Sequence, residues 1–194
     1  MAPNFKIACD RFDEANKKDP NTEIWQGNPY PKELLYALRM TEKLNHFAPT
    51  ASEALQLTAR CQHIRRWEIP RDRYEQNRVG YLKWRQDLQH FHVEKATAIL
   101  KEVGYDQATI DEVAFLLQKK HLKKNADTQI LEDVICLVFL EFYFEDFSTK
   151  HPEEKQIDIL QKTWRKMSEE GHKAALRLPF SDPISKLMDK ALRE

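Results

Sequence analysis

From Val134 to Phe144 the chain is apolar on nearly every side, inside a longer stretch running from Thr128 to Phe147. A helix that is apolar all round has no face that is stable against water, so other elements must surround it. A β-strand competes for the short apolar run taken alone, but with its flanks the segment has the length of a helix. The stretch therefore predicts a central helix on which the rest of the chain packs. Glu132 and Asp133, at its N-terminal end, are drawn inside with it, and buried charges need partners. As adjacent residues on a helix they point apart and cannot share one proton.

The remaining segments read as helices as well. Only four glycines occur, and two-residue hairpin signals such as Asn-Gly are absent, so no sheet is expected. Phe5, Cys9 and Phe12 form the apolar edge of a first helix that stops before Asp19-Pro20. Asn21 to Pro31 reads as a loop, with Pro31 suited to a first helical position. Leu34, Leu35, Leu38 and Leu44 then face a core. Thr50 or Ser52 can cap the next helix, with Glu53 at or near the third position. Arg73 to Gly80 reads as a loop before a long helix from Tyr81 to about Val103, closed by Gly104. Its inward stripe is Tyr81, Arg85, Leu88, His92, Ala96, Ile99 and Val103. A helix begun by Asp106 or Thr109 carries Ile110, Val113, Leu117 and His121 on one face. An amphipathic helix with Ile157, Leu160 and Trp164, a short helix after Gly171 and a last one capped by Ser181 complete the chain. With 194 residues, 41% of them hydrophobic, this predicts one compact all-α domain over residues 1–194.

Charge narrows the partners. Lys and Arg number 31, as do Asp and Glu, and a neutral total argues against generic nucleic-acid or membrane binding. The balance is local, however. Arg60 to Arg85 holds eight basic residues against three acidic, and Glu132 to Asp158 holds eight acidic against two basic. Segments so opposed are expected to face each other or to border a polar site. The apolar run from Val134 to Leu140 is far shorter than the ~20 residues of a membrane span. Three cysteines without CxxC spacing fit a reducing compartment, and the first residues lack the apolar core of a signal peptide. A cytoplasmic protein is the expectation.

Two constellations carry chemistry. The stretch Gln62 to Tyr74, QHIRRWEIPRDRY, packs four Arg, one His and one Trp around Pro70. Arg65, Arg66 and Arg71, with Arg85 from the next helix, offer guanidinium forks suited to phosphate oxygens. Lys119 and Lys123, from the basic cluster after the fifth helix, extend the set. The plainer reading is that these cations cap a helix end and pair with Glu68, Glu132 or Asp133. The second constellation is His63, His92, His121 and Asp133, each ending or lying on an inward stripe. Imidazoles with a carboxylate suit Zn²⁺, Fe or Mn²⁺, although a lone inward His is more often simply hydrogen-bonded in a core. Glu132 and Asp133 are the catalytic candidates.

Phosphate loops, GxSxG elbows and HExxH are absent. His63-Ile64-Arg65-Arg66 and Lys166-Met167-Ser168-Glu169-Glu170 resemble the HIGH and KMSKS motifs of class I aminoacyl-tRNA synthetases. Those motifs work on a parallel α/β sheet, and this chain has no strand series to build one.

Two resemblances cover most of the chain. The pattern LLYALRM, RCQHIRRWEIPRDRY, GYLKWRQDLQHFH, LEDVICLVFLEFYFEDF and KTWRKMS resembles an uncharacterised family of bacterial, fungal and plant proteins, some labelled glutamyl-tRNA synthetase. The order of features from Leu34 to Glu141 is similar to the HD-domain superfamily of metal-dependent phosphohydrolases. That resemblance implies an HD-like, phosphodiesterase-like core over about residues 31–147, followed by C-terminal helices over 153–194. It places His63 at the His of the His-Asp pair, His92 and His121 at intervening histidines, and Asp133 at the final Asp. Tyr36 stands where the first His belongs, and Ile64 stands where the pair has its Asp.

The function expected is an Arg- and His-lined pocket that binds, and in the HD-like reading hydrolyses, a phosphorylated small molecule or nucleotide, with a divalent metal as the implied cofactor. The alternatives are a non-catalytic interaction protein that kept the fold without its metal, and an RNA-binding protein acting through the Arg60–Arg85 surface, for which stacking aromatics are not evident.

Overall fold

The structure is a computed structural model that describes residues 3–193. The chain runs α1 (Pro3–Asn16), β1 (Thr22–Trp25), β2 (Asn28–Pro31), α2 (Lys32–Phe47), α3 (Glu53–Cys61), α4 (Arg78–Val103), α5 (Gln107–Leu117), α6 (Ala126–Phe142), α7 (Phe144–Thr149), α8 (Glu153–Trp164), α9 (Glu169–Ala175) and α10 (Asp182–Arg193). The fold is all-α apart from one hairpin.

That hairpin corrects the loop expected over residues 21–31. β1 and β2 pair antiparallel with Trp25 opposite Asn28 and Thr22 opposite Pro31. Gln26 and Gly27 between them both have positive φ, at 51° and 78°, the conformation of a two-residue turn whose twist matches its strands. Gly27 adopts it freely, and Gln26 does so in place of the usual Asn or Asp. Trp25 and Tyr30 meet edge to face at 5.5 Å on the hairpin, and Glu23 forms an ion pair with Arg39 on α2. Pro29 and Pro31 in β2 cannot donate to a further strand, so the sheet stops at two. Pro31 itself flanks α2 instead of starting it.

α6 is the centre, as its composition requires. Leu131, Val134 and Val138 pack with Met40 and Leu44 of α2, Leu55 of α3 and Leu116 of α5. Its other side, with Cys136, Leu137 and Leu140, packs under Phe144, Leu160 of α8 and Met188 of α10. A third cluster joins Phe12 of α1, Leu57 of α3, Leu100 of α4 and Val113 of α5. Each fully buried side chain of this size contributes about 1.5–3 kcal/mol. The helix does not continue to Phe147: Tyr143, at φ −126° and ψ −21°, interrupts it before α7.

Side chains fix the helix starts. Ser52, Asn77, Asp106, Asn125 and Ser168 each accept from the backbone N–H three residues on, opening α3, α4, α5, α6 and α9. Each such cap is worth about 1 kcal/mol. Glu53 is the first residue of α3, so it closes no capping box, and the Ser181 hydroxyl donates to Glu145. α4 begins at Arg78 because Asn77 caps it and Gly80 lets the Glu75 backbone lie against it, where a Cβ would collide. Its buried stripe is Gly80, Trp84, Leu88, His92, Ala96 and Leu100. Trp84 thus takes the inward position expected of Tyr81 and Arg85, and its indole N–H donates to the Ile69 carbonyl at 2.8 Å.

Candidate functional site

A cavity of about 380 Å³ opens between α2, α4, α6 and α8. This lies within the ~300–1,000 Å³ usual for small-molecule sites. Five cations line it: Lys32 on α2, Arg66 in the turn after α3, Arg85 on α4, Lys119 after α5, and Lys166 after α8. Two carboxylates, Glu33 and Glu132, reach it from buried positions. The cations therefore outnumber the acids, and the site is electropositive.

Each carboxylate has partners. Lys119 Nζ lies 2.7 Å from Glu132 Oε2, and Lys166 Nζ lies 3.6 Å from Oε1. Burial pushes the Glu132 carboxyl up, but Lys119, Lys166 and Arg85 prevail and hold it below its ordinary value. Burial likewise draws the Lys119 ammonium down, against the pull of Glu132. Glu33 Oε2 lies 3.2 Å from His63 Nδ1, and Glu33 Oε1 lies 3.8 Å from Arg66. Burial raises the Glu33 carboxyl, and Arg66 and Lys32 oppose the rise.

His63 stacks on Tyr36 at 4.0 Å between ring centres, and His92 lies 6.0 Å away. Burial first, then Arg66, Arg85, Lys119 and Lys32, hold the His63 imidazole well below its usual range, so it is neutral at pH 7. His92 Nδ1 lies 2.9 Å from the Ile64 carbonyl, which can only accept, so the proton of its neutral ring sits on Nδ1. Arg66 lies over the face of Trp84 at 5.1 Å, a cation–π contact with a residue of the next helix in place of its neighbour Trp67.

The structure brings His63, Arg66, Arg85, Lys119 and Glu132 to the cavity, with His92 packed behind them. Other candidates lie elsewhere. Arg65 pairs with Glu68 at 2.5 Å, away from the cavity. Arg71 donates to the carbonyls of Tyr74, Glu75 and Asn77 and so braces the loop before α4. α5 ends at Leu117, and Lys119, His121 and Lys123 all take positive φ in the turn that follows. That turn breaks the helical spacing on which the inward position of His121 rested. His121 and Lys123 are consequently not among the lining residues, and the His121 ring meets Phe115 edge to face.

The proposed metal ligands are engaged otherwise. Asp133 Oδ1 accepts from the Ser168 backbone N–H at 2.7 Å, and Oδ2 accepts from the Ser168 hydroxyl at 2.6 Å, so this carboxylate ties α6 to the start of α9. His63 and His92 engage Nδ1 with Glu33 and Ile64. Among the described residues no three His, Cys, Asp or Glu are grouped to hold an ion. The donors present do not fit the metal that the HD resemblance implies.

Sequence reasoning missed Lys32, Glu33, Gln62, Tyr143 and Lys166 as lining residues. Glu33 had a signal: it shares a buried stripe with Tyr36, Met40 and Leu44, and an acid on such a stripe needs a partner. Tyr143 had none, because its position depends on the break in α6.

No helix among the described residues is long and apolar enough to cross a membrane. No curated protein and no solved structure matches the chain. Residues 6–188 match the family described as Domain of unknown function (DUF4202). The match spans nearly the whole chain, and the protein belongs to that family.

Proposed function

We propose that the cavity binds a phosphorylated small molecule or nucleotide through Arg66, Arg85 and Lys119. The observation that carries this reading is the state of Arg85. It lines the cavity, yet it makes no hydrogen bond or ion pair with any described residue. The direct ion pairs of Glu132 are with Lys119 and Lys166, and those of Glu33 with His63 and Arg66, so Arg85 acts on Glu132 only at longer range. A guanidinium with no direct hydrogen bond, beside further cations, repels them, and an anion in the cavity relieves that repulsion. Phosphate suits the fork because two parallel N–H groups meet two oxygens.

Phosphate, sulfate and nucleotides are expected to raise the melting temperature in proportion to their affinity, since they bind the folded state alone. Arg85→Ala should abolish the rise. Arg193→Ala, at the far end of α10, should leave it intact. A thermal screen in which no phosphate compound shifts the transition, or in which both variants respond alike, would leave a non-catalytic interaction protein as the better reading.

A further inference from the structure

The cavity lining contains both a cluster of cations and a strip of apolar side chains. Arg66, Arg85, Lys119, Gln62 and His63 also border a small recess over Leu88 and His92, which groups them at a single end. From Glu132 the wall continues along α6 through Ile135 and Cys136 to Phe139, with Ile159 of α8 facing in. The seven residue steps from Glu132 to Phe139 make that wall roughly 10 Å long. Of the four hydroxyl side chains in the lining, Tyr36, Tyr81, Tyr143 and Thr163, three make hydrogen bonds within the chain. Tyr36 donates to Gln62 Oε1 at 2.8 Å, Thr163 donates to the Ile159 carbonyl at 2.8 Å, and Tyr143 accepts from Arg39 at 2.9 Å.

We propose that the ligand is a phosphate monoester with an apolar organic group, its phosphate among Arg66, Arg85 and Lys119 and its alkyl or aryl part along Ile135, Cys136, Phe139 and Ile159. The proposal rests on the phosphate-binding reading and narrows it. A sugar or nucleoside placed against this wall exchanges hydrogen bonds to water for contact with carbon and sulfur, and that exchange is unfavourable. An alkyl or aryl group placed there leaves water and gains contact, which is favourable in proportion to its area. The cations alone would accept any phosphate, so the wall sets the preference.

Titration calorimetry on the full chain tests this with inorganic, ethyl, butyl, hexyl and phenyl phosphate against glucose 6-phosphate and AMP. Affinity should rise about fourfold per methylene buried. Phenyl phosphate should bind more tightly than glucose 6-phosphate or AMP, and neither of these should bind more tightly than inorganic phosphate. Ile135→Thr and Ile159→Thr each keep a β-branched shape, and each should flatten the dependence on chain length while leaving the affinity for inorganic phosphate unchanged. Unfolding curves for both variants establish that they are folded. If inorganic phosphate binds but affinity does not grow with chain length, or if AMP or the sugar phosphate binds best, the apolar-ligand proposal is wrong and phosphate binding stands. If inorganic phosphate and every ester fail to bind, both are wrong.

Discussion

Replacing Asp133 by alanine should lower the unfolding free energy by about 3 kcal/mol while leaving anion binding in place. The carboxylate is buried, and both of its oxygens are used: Oδ1 by the Ser168 N–H and by Gln129 Nε2 at 3.2 Å, Oδ2 by the Ser168 hydroxyl. Removing it leaves a backbone donor and a hydroxyl without their acceptor at the start of α9. The same carboxylate sits where a side chain on Gly171 would be, since a Cβ there would come within 2.5 Å of Oδ1. Gly171→Ala should therefore cost about 1–3 kcal/mol by overpacking. Its cost should shrink in the Asp133→Ala background, because the two changes act on one contact. Urea unfolding of the two single variants and the double variant measures all three quantities. If Asp133→Ala abolished the thermal response to phosphate and left stability unchanged, the carboxylate would belong to the ligand site and not to the tie between α6 and α9.

Between pH 6.5 and 4 the wild-type chain should lose stability faster than its His92→Gln variant, by about 1.4 kcal/mol per pH unit and roughly 3 kcal/mol in all. Burial, and then the neighbouring His63, draws His92 down to about 3, whereas the unfolded chain leaves it near ~6.5. Between these values the unfolded state binds the extra proton, so stability falls as pH falls. Near the lower value the folded state takes up the proton as well, and the loss levels off. Arg66 also disfavours the charged ring, while the Ile64 carbonyl and Glu33 favour it. His63 is depressed in the same direction and adds to the loss. Glu33 works the other way, because its raised carboxyl takes up a proton in the folded chain before it does so in the unfolded one. Comparing the two slopes largely removes these shared contributions. Glutamine keeps an N–H for the Ile64 carbonyl, so the variant retains its local contact. Equal slopes in denaturant unfolding across this range would show that His92 does not titrate as its burial requires.

Where a residue's place followed from helical spacing, the sequence revealed it; where a local backbone reversal decided the matter, it did not. The central position of α6 and the burial of Glu132 and Asp133 both follow from apolar residues on every side of one helix. The expectation that His63, Arg66, Arg85 and Lys119 lie near one another followed from their positions on neighbouring helices and turns, and all four line one cavity. His121 and Lys123 were misplaced because α5 ends early, in a turn with three positive φ angles and no glycine to mark it. The hairpin was hidden because Gln26 fills a turn position that Asn or Asp usually advertises. Asp133 is buried, as read, and its partner Ser168 lies 35 residues on, a pairing that helical spacing does not reveal.

The walls of the cavity begin at Lys32 and end at Lys166, and they include residues from four helices and from the turns between them. No single helix contains the site, so a molecule in which these helices have separated has little to offer the ligand. Ligand occupancy is thereby tied to cooperative opening of the whole structure. Saturating phosphate ester should slow amide hydrogen exchange in α2 and α8 by the same factor, although their sequences lie more than a hundred residues apart. A substitution in the C-terminal helices that populates an opened form will likewise weaken apparent affinity by the fraction opened, without touching an anion-binding side chain.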